Sequence, residues 1–175
     1  MLIALPRSFG GAVPLRRAFA TVFADFGPQY RHNVMFLCNH NSCRSQMADG
    51  WLRELRRRYP AASVGVASAG IEAGTGVKEG ASVVMAEVGV PIAHFSSDDM
   101  ADFKAADFSH VISCCGCGTK LDEPSKATWK ARPVFEDWNL DDPPAADPGN
   151  LSEYRRVRDE VRAKVEELVK ALAAT

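Results

Sequence analysis

The sequence contains no apolar run of the roughly 18 residues that a membrane-spanning helix needs. It also has no excess of either charge, because 21 basic and 22 acidic residues give a formal net charge of −1. Such a chain has no overall field that would attract nucleic acid or an anionic membrane surface. We therefore expect neither a nucleic-acid nor a membrane partner, and any bound anion must be held by a local arrangement of residues.

Two further patterns are missing. No G-x-x-x-x-G-K-[ST] sequence occurs, which leaves nucleoside triphosphate binding without support. The cysteines are not distributed along the chain as in a secreted disulfide-stabilised domain: there are five, and three of them crowd into residues 114–117. This clustering indicates reactive or metal-binding thiols in a reducing compartment, and we expect a cytoplasmic location.

The first thirty residues differ in composition from the rest. They contain three arginines (Arg7, Arg16 and Arg17), no lysine and a single acidic residue, Asp25. Arg-rich, acid-poor N-termini are typical of organellar transit peptides. Two interpretations of residues 1–30 stay open: a targeting segment for a chloroplast or mitochondrion, or a disordered extension. In either case the folded domain is expected over residues 31–175.

From residue 33 onward, strand and helix patterns alternate. Apolar runs predict strands over 34–37, 63–68 and 108–113. A short strand over 132–135 would lie at an edge or in an irregular position, because Pro133 cannot donate to a ladder.

Helical spacing of apolar residues predicts helices over 45–58 and 78–88 and a C-terminal helix with a stripe from Leu151 to Leu172. A weaker element is expected over 97–103. The alternation predicts an α/β three-layer sandwich with a four-stranded, mainly parallel sheet. In such sheets ligands bind beyond the carboxyl ends of the strands, where both cysteine-containing loops fall.

The loop after the first predicted strand has the chemistry of an anion site. It consists of Cys38, Asn39, His40, Asn41, Ser42, Cys43, Arg44 and Ser45. Its backbone N–H groups and the following helix N-terminus can bind an oxyanion, and Arg44 adds a bidentate fork. The same positive potential favours Cys38 as a thiolate nucleophile. Ser45 is expected to donate a hydrogen bond to that sulfur, and Asn41 to accept a left-handed backbone conformation.

Val34 to Cys38, followed by Asn41-Ser42-Cys43-Arg44-Ser45-Gln46-Met47-Ala48, resembles the low-molecular-weight tyrosine phosphatases and the arsenate reductases built on the same fold. The resemblance runs from about residue 33 to the C-terminal helix. It implies a low-molecular-weight phosphatase-like fold, Cys38 as nucleophile, residues 39–45 as the oxyanion loop, and no bound cofactor.

The resemblance also implies a general acid late in the chain. Phosphatases of this fold carry an Asp-Pro pair whose carboxyl protonates the leaving group, and Asp142-Pro143 matches it. Asp141 is the adjacent alternative and Asp137 a third. The phosphatases continue with aromatic residues that line a slot for a phenol ring, whereas here Pro144-Ala145-Ala146 follows. This difference argues against a phosphotyrosine substrate.

The second cysteine cluster separates the two branches. Ester hydrolysis needs one thiol, while reducing arsenate takes two electrons and at least a second thiol. The run Cys115-Gly116-Cys117-Gly118 is similar to that of the glutathione/glutaredoxin-linked arsenate reductases of cyanobacterial type. This likeness implies an enzyme that reduces arsenate, with phosphate and sulfate as competing anions. It also implies a relay from Cys38 to Cys115 and then to Cys117, the last step either direct or through a mixed disulfide with glutathione. Glutathione is the expected reductant, with glutaredoxin ahead of thioredoxin as the partner.

Other interpretations remain. One is a zinc site formed by His110, Cys114, Cys115 and Cys117. The sequence lacks the two Cys-x2-Cys pairs that are common in structural zinc sites, so no metal is expected. Cys43 and Cys114 receive no redox step. A phosphatase of this fold and a non-catalytic oxyanion-binding or redox-sensing module are the alternative functions.

Overall fold

A four-stranded parallel sheet lies at the centre of the computed structural model, which describes residues 25–124, 126–143 and 151–175. The strands are β1 (His32–Cys38), β2 (Val64–Gly70), β3 (His110–Ser113) and β4 (Val134–Asp137). Their order across the sheet is β2-β1-β3-β4. Every pair is parallel, which confirms the predicted α/β architecture.

Helices cover both faces of this sheet. They are α1 (Arg44–Leu55), α2 (Glu79–Glu87), the short α3 (Ala127–Lys130) and α4 (Leu151–Ala173). Single 3₁₀ turns lie at Pro60–Ala62, Met100–Asp102 and Ala105–Asp107, and a longer one spans Cys117–Leu121. One apolar cluster joins β1 to α1, α2 and α4, and a second joins the opposite face to the 3₁₀ turns and α3. The predicted three layers are therefore present.

The alternating side chains of β1 explain this division. Val34 and Phe36 face the α1–α4 side, whereas Met35 and Leu37 face the other cluster, and all four are fully buried. A strand buried on both faces reads as a continuous apolar run, which is why β1 was visible in the sequence. The β4 strand lies at the sheet edge, as Pro133 predicted, but begins two residues later than expected.

Two predictions near the ends of elements were less accurate. The first helix ends at Leu55, not at residue 58, because Arg58 N–H donates to the carbonyl of Leu55 and the chain tightens before Pro60. The weaker element over 97–103 is only the 3₁₀ turn Met100–Asp102.

Most of the predicted N-terminal segment, residues 1–30, lies outside the described residues, so its role stays a prediction. Residues 144–150 also lie outside the described residues. Asp25 is described; its carboxylate binds Arg53 and Arg56 of the α1 end, and its carbonyl accepts from Val66 N–H at 2.6 Å. In the ranges 25–124, 126–143 and 151–175, no helix has the length and apolar character needed to cross a membrane.

Candidate active site

The two cysteine-containing loops meet at one edge of the sheet. Leu37 of β1 pairs in register with Ser113 of β3, so Cys38 and Cys114 leave neighbouring strands at the same level. Cys114 N–H donates to the Leu37 carbonyl at 2.7 Å and fixes this alignment. The structure therefore brings the predicted nucleophile and the predicted redox cysteines to a common site.

The Cys38–Ser45 loop has its carbonyls turned outward. The carbonyls of residues 38, 39, 40 and 42 each accept a backbone hydrogen bond from the segment 71–78, at 2.8 to 3.0 Å. Gly70 permits this close approach, since a Cβ there would lie 2.9 Å from the carbonyl carbon of His40. In the described part of the chain, the N–H groups of residues 40–43 have no acceptor, which leaves them available to an anion.

A short hydrogen-bond chain reaches the Cys38 sulfur. Asn41 Nδ2 donates to Ser45 Oγ at 3.0 Å, and Ser45 Oγ lies 2.9 Å from Cys38 Sγ. The Asn41 amide takes one acceptor position on the hydroxyl, which leaves the Ser45 proton available for donation to the sulfur when Cys38 acts as a thiolate nucleophile. All three side chains are buried.

Asn41 also braces the loop from behind, in the left-handed backbone conformation expected of it (φ 47°). Its Oδ1 accepts from Asp98 N–H at 2.9 Å and from Gln46 Nε2 at 3.0 Å, and its carbonyl accepts from Ser97 Oγ at 2.7 Å. Sequence reasoning assigned no role to Gln46, Ser97 or Asp98. Only the position of Gln46 within the recognised motif pointed to one of them.

Arg44 is buried at the start of α1 and has two of its three nitrogens engaged. Nη1 donates to the Leu140 carbonyl at 2.7 Å, and Nη2 lies 3.3 Å from Asp142 Oδ2. Its Nε is buried without a hydrogen-bond partner among the described residues. A buried donor without an acceptor is costly, so an oxyanion bound in the loop would satisfy it.

The three candidate acids have different surroundings. Asp142 pairs with Arg44 and is 42% exposed. Asp141 is 73% exposed and binds Arg156 on α4 at 2.7 Å. Asp137 faces the second cysteine loop, where it accepts hydrogen bonds from Gly116 and Gly118. Asp142 is thus the carboxyl that the structure brings to the oxyanion loop.

Cys115 and Cys117 are joined by a disulfide, with their Cα atoms 5.1 Å apart. Cys117 is buried, Cys115 is half-buried, and Ser113 Oγ lies 3.2 Å from Cys117 Sγ. His110 instead contacts Ser109 and the ring of His32. Within the ranges that the structure describes, no group of three or more His, Cys, Asp or Glu could hold a metal ion.

The two remaining cysteines are isolated from solvent. Burial raises the pKa of the Cys43 thiol to about 12 and holds that of Cys114 well above its usual range. Both are free thiols. Neutral buried thiols are poor nucleophiles, which agrees with assigning them no redox step.

The exposed part of the loop has a cation that sequence reasoning missed. Lys120, in the 3₁₀ turn that begins at Cys117, donates to Asn39 Oδ1 at 2.8 Å. His40 is exposed, and its Nδ1 lies 3.3 Å from the carbonyl of Glu72. No sequence signal linked Lys120 to the oxyanion loop, because 81 residues separate it from Asn39.

Comparisons with known proteins match this geometry. Residues 33–175 match the family described as low molecular weight phosphotyrosine protein phosphatase. A glutaredoxin arsenate reductase of Synechocystis sp. is 41% identical over 78% of this chain and 95% of its own length. An arsenate reductase of Staphylococcus aureus is 36% identical with the same coverage.

A solved structure of an arsenate reductase in the phosphate-binding state is 38% identical and superposes with a TM-score of 0.69, covering 81% of this chain and 98% of that one. The arginine phosphatase YwlE of Geobacillus stearothermophilus shares 26% identity with a TM-score of 0.66, over 81% of this chain and 92% of that one. The fold is therefore similar to that of both reductases and phosphatases.

Proposed function

The chain belongs to the low molecular weight phosphotyrosine protein phosphatase family, and we propose that it is an arsenate reductase within that family. The observation that carries the proposal is the Cys115–Cys117 pair, held just beyond the end of β3, the strand beside the one that leads into the nucleophile loop. Phosphate-ester hydrolysis has no use for a second thiol pair, whereas arsenate reduction requires two electrons. Relatives with 36% and 41% identity over most of the chain are arsenate reductases, which supports the same conclusion.

Arsenate is captured by the Cys38–Ser45 loop. The N–H groups of residues 40–43 and the Nε of Arg44, which have no acceptor among the described residues, supply hydrogen-bond donors for a tetrahedral oxyanion. Phosphate and sulfate have the same shape and compete for these donors. No resident metal or cofactor is needed for this step.

In the first chemical step, the Cys38 thiolate attacks arsenic and forms a sulfur–arsenic bond, while an oxygen ligand departs. Ser45 holds the sulfur, Arg44 and the loop amides hold the oxyanion, and Asp142 protonates the departing oxygen. The pairing of Asp142 with Arg44 keeps this carboxyl at the loop.

In the second step, the Cys115 sulfur attacks Cys38 Sγ. The electron pair of the sulfur–arsenic bond remains on arsenic, arsenite leaves, and a Cys38–Cys115 disulfide forms. Cys117 then attacks Cys115 and frees Cys38. The closed Cys115–Cys117 bond is the end state of this relay.

We propose glutathione with glutaredoxin as the reductant that reopens the Cys115–Cys117 bond. The close spacing of these two cysteines and the glutaredoxin named for the Synechocystis relative support this choice over thioredoxin. We also propose a reducing compartment as the site of action: the cytoplasm, or a chloroplast or mitochondrion if residues 1–30 act as a targeting segment.

One assay tests the reductase against its alternatives. The reduced chain is given arsenate with glutathione and glutaredoxin, or with thioredoxin and its reductase, and arsenite is quantified beside hydrolysis of para-nitrophenyl phosphate. We expect arsenite formation that is faster with glutaredoxin. Strong ester hydrolysis without arsenite would identify a phosphatase, and absence of both activities would identify a binding or sensing module.

The matched variants are C115S/C117S and C114S. Catalytic arsenite formation is expected to be lost in the double variant and retained in C114S, because Cys114 is a buried neighbour with no part in the relay. Full activity of the double variant would refute the relay.

A further inference from the structure

Asp137, the last residue of β4, holds the loop between the two relay cysteines. Its Oδ1 accepts a hydrogen bond from Gly116 N–H and its Oδ2 one from Gly118 N–H, both at 3.0 Å. These two amides flank Cys117 in the chain. One carboxylate therefore fixes the backbone on both sides of the sulfur-bearing residue.

The loop is shaped to fit this carboxylate. Gly116 has a φ of 65°, a conformation that side chains rarely adopt, and a Cβ there would overlap Asn139 Oδ1. A Cβ at Gly118 would lie 2.7 Å from Asp137 Oδ2. A side chain at either position would have to displace Asn139 or Asp137, so the two glycines let the loop pack closely against the end of β4 and the residues that follow it.

We propose that Asp137 is a positioning residue for the thiol–disulfide relay, a role that rests on the proposed function. Asp137 stabilises the loop conformation in which Cys117 meets Cys115, and so favours the exchange that regenerates Cys38. Charge-assisted hydrogen bonds are about twice as strong as neutral ones. Both hydrogen bonds to the Asp137 carboxylate are made in the conformation in which the Cys115–Cys117 disulfide is closed. When Cys115 moves towards Cys38, it pulls the neighbouring Gly116 N–H away from the Asp137 carboxylate and weakens their hydrogen bond.

The last exchange of the relay moves the disulfide from Cys38–Cys115 to Cys115–Cys117. Cys117 gives its proton to water and attacks Cys115 Sγ as a thiolate. The Cys115–Cys117 bond forms as the Cys38–Cys115 bond breaks, and the electron pair leaves with Cys38 as a thiolate. No net oxidation occurs, so the position of equilibrium depends on the relative stability of the two disulfide-bonded loops.

The test measures the Cys115–Cys117 disulfide in the full chain against a dithiothreitol redox buffer, in a C38S background that leaves this pair as the accessible couple. The variants are D137A, D137N and, as a matched control from the same strand, E136Q. Glu136 is exposed and accepts from Trp138 Nε1, so its substitution removes an equal charge without touching the loop amides.

We expect D137A to lower the equilibrium constant for disulfide formation about tenfold, which corresponds to a shift of about 30 mV towards easier reduction. D137N retains one acceptor oxygen and should fall between D137A and the parent. E136Q should match the parent. In chains that retain Cys38, a single arsenate turnover without glutathione should leave D137A enriched in the Cys38–Cys115 disulfide, as mapped by mass spectrometry of peptides.

Phosphate binding by the same variants separates positioning from general damage. Unchanged phosphate affinity together with the shifted equilibrium supports the proposal. An equilibrium constant equal to the parent's, an equal shift in E136Q, or a parallel loss of phosphate binding in D137N would overturn it. The redox titration uses no arsenate, so a parent chain that forms no arsenite would refute the proposed function while the assignment of Asp137 is decided separately.

Discussion

Asp141 and Asp142 are neighbours in the chain, yet they contact different partners. Asp142 pairs with Arg44 of the oxyanion loop, whereas Asp141 binds Arg156 on α4. Since general acid catalysis contributes roughly 10²- to 10⁴-fold, we expect D142N to lower kcat/KM for arsenate by about a hundredfold or more. D141N, with the same change of charge, should stay within about threefold of the parent, because exposed ion pairs contribute little. Equal losses in steady-state arsenite formation would contradict the assignment of Asp142 as the acid.

The buried thiol of Cys43 couples folding stability to alkaline pH. Its pKa is raised to about 12 in the folded chain by burial, against about 8.5 for an unfolded cysteine. The stabilisation is therefore complete below about pH 8.5 and is lost between about pH 8.5 and 12, as the unfolded chain releases a proton that the folded chain keeps.

Between pH 8.5 and 10, this effect should cost the parent about 1.6 kcal/mol that a C43A variant does not lose. Urea unfolding of both proteins across this range checks it. The variant starts lower, because it loses buried volume, but its free energy of unfolding should fall less steeply with pH. Parallel curves would show that the Cys43 thiol ionises as readily in the folded chain as in the unfolded one.

Single residues differed in how far the sequence revealed them. The contact of Ser45 with Cys38 and the left-handed backbone of Asn41 were predictable, because both depend on residues within one short loop. The sequence did not predict which residues Lys120 and Asp137 contact. Lys120 touches the loop across 81 residues, and Asp137 was considered only as an acid, so its hydrogen bonds to Gly116 and Gly118 depend on how β4 ends.

At the scale of elements, the 3₁₀ turn Cys117–Leu121 links the relay cysteines to the oxyanion loop. It begins at Cys117 and contains Lys120, which contacts Asn39. The Lys120 ammonium group adds positive charge at Asn39, at an exposed position where salt screens it. We expect K120M to raise KM for arsenate about two- to fivefold at low salt, with kcat nearly unchanged. The difference should shrink in 0.5 M salt, where the Debye length is only about 4 to 5 Å.

The control for this prediction is K126M. Lys126 follows the same turn but pairs with Glu123 at 3.1 Å and does not contact the oxyanion loop. Its KM should match the parent's at both salt concentrations. A K120M effect that persists in high salt would point to a structural role of the lysine stem instead of its charge.

Elements that are buried on one or both faces were predicted well, and the connections were not. The β1 run and the α4 stripe carry a periodic apolar pattern that fixes their identity. The short α3 and the 3₁₀ turns have no such period, since their few residues are held by contacts with the sheet and not by their own pattern. One of these connections also contains Lys120, which is why its contact with the oxyanion loop was missed.

At the scale of the whole molecule, the oxyanion loop depends on segments far apart in the chain. The segment 71–78 holds its carbonyls, residues 96–98 hold Asn41 and Gln46, and residues 140 and 142 hold Arg44. With a net charge of only −1, the molecule provides no long-range attraction for an anion. Anion binding therefore depends on local hydrogen-bond donors and on the tertiary contacts that position them. Anion binding and folding must then be thermodynamically linked.

This linkage predicts that oxyanions stabilise the entire fold. In a C38S variant, which cannot form the sulfur–arsenic bond, phosphate at about 100 times its dissociation constant should add about 2.7 kcal/mol to the free energy of unfolding. Urea unfolding with and without phosphate measures this gain, and arsenate and sulfate should behave alike. The additional substitution R44K replaces the planar guanidinium group, including its buried Nε, with an ammonium group. The same phosphate concentration should therefore stabilise the C38S/R44K protein far less. Equal stabilisation of both proteins would place the anion elsewhere than at Arg44 and the Cys38–Ser45 loop.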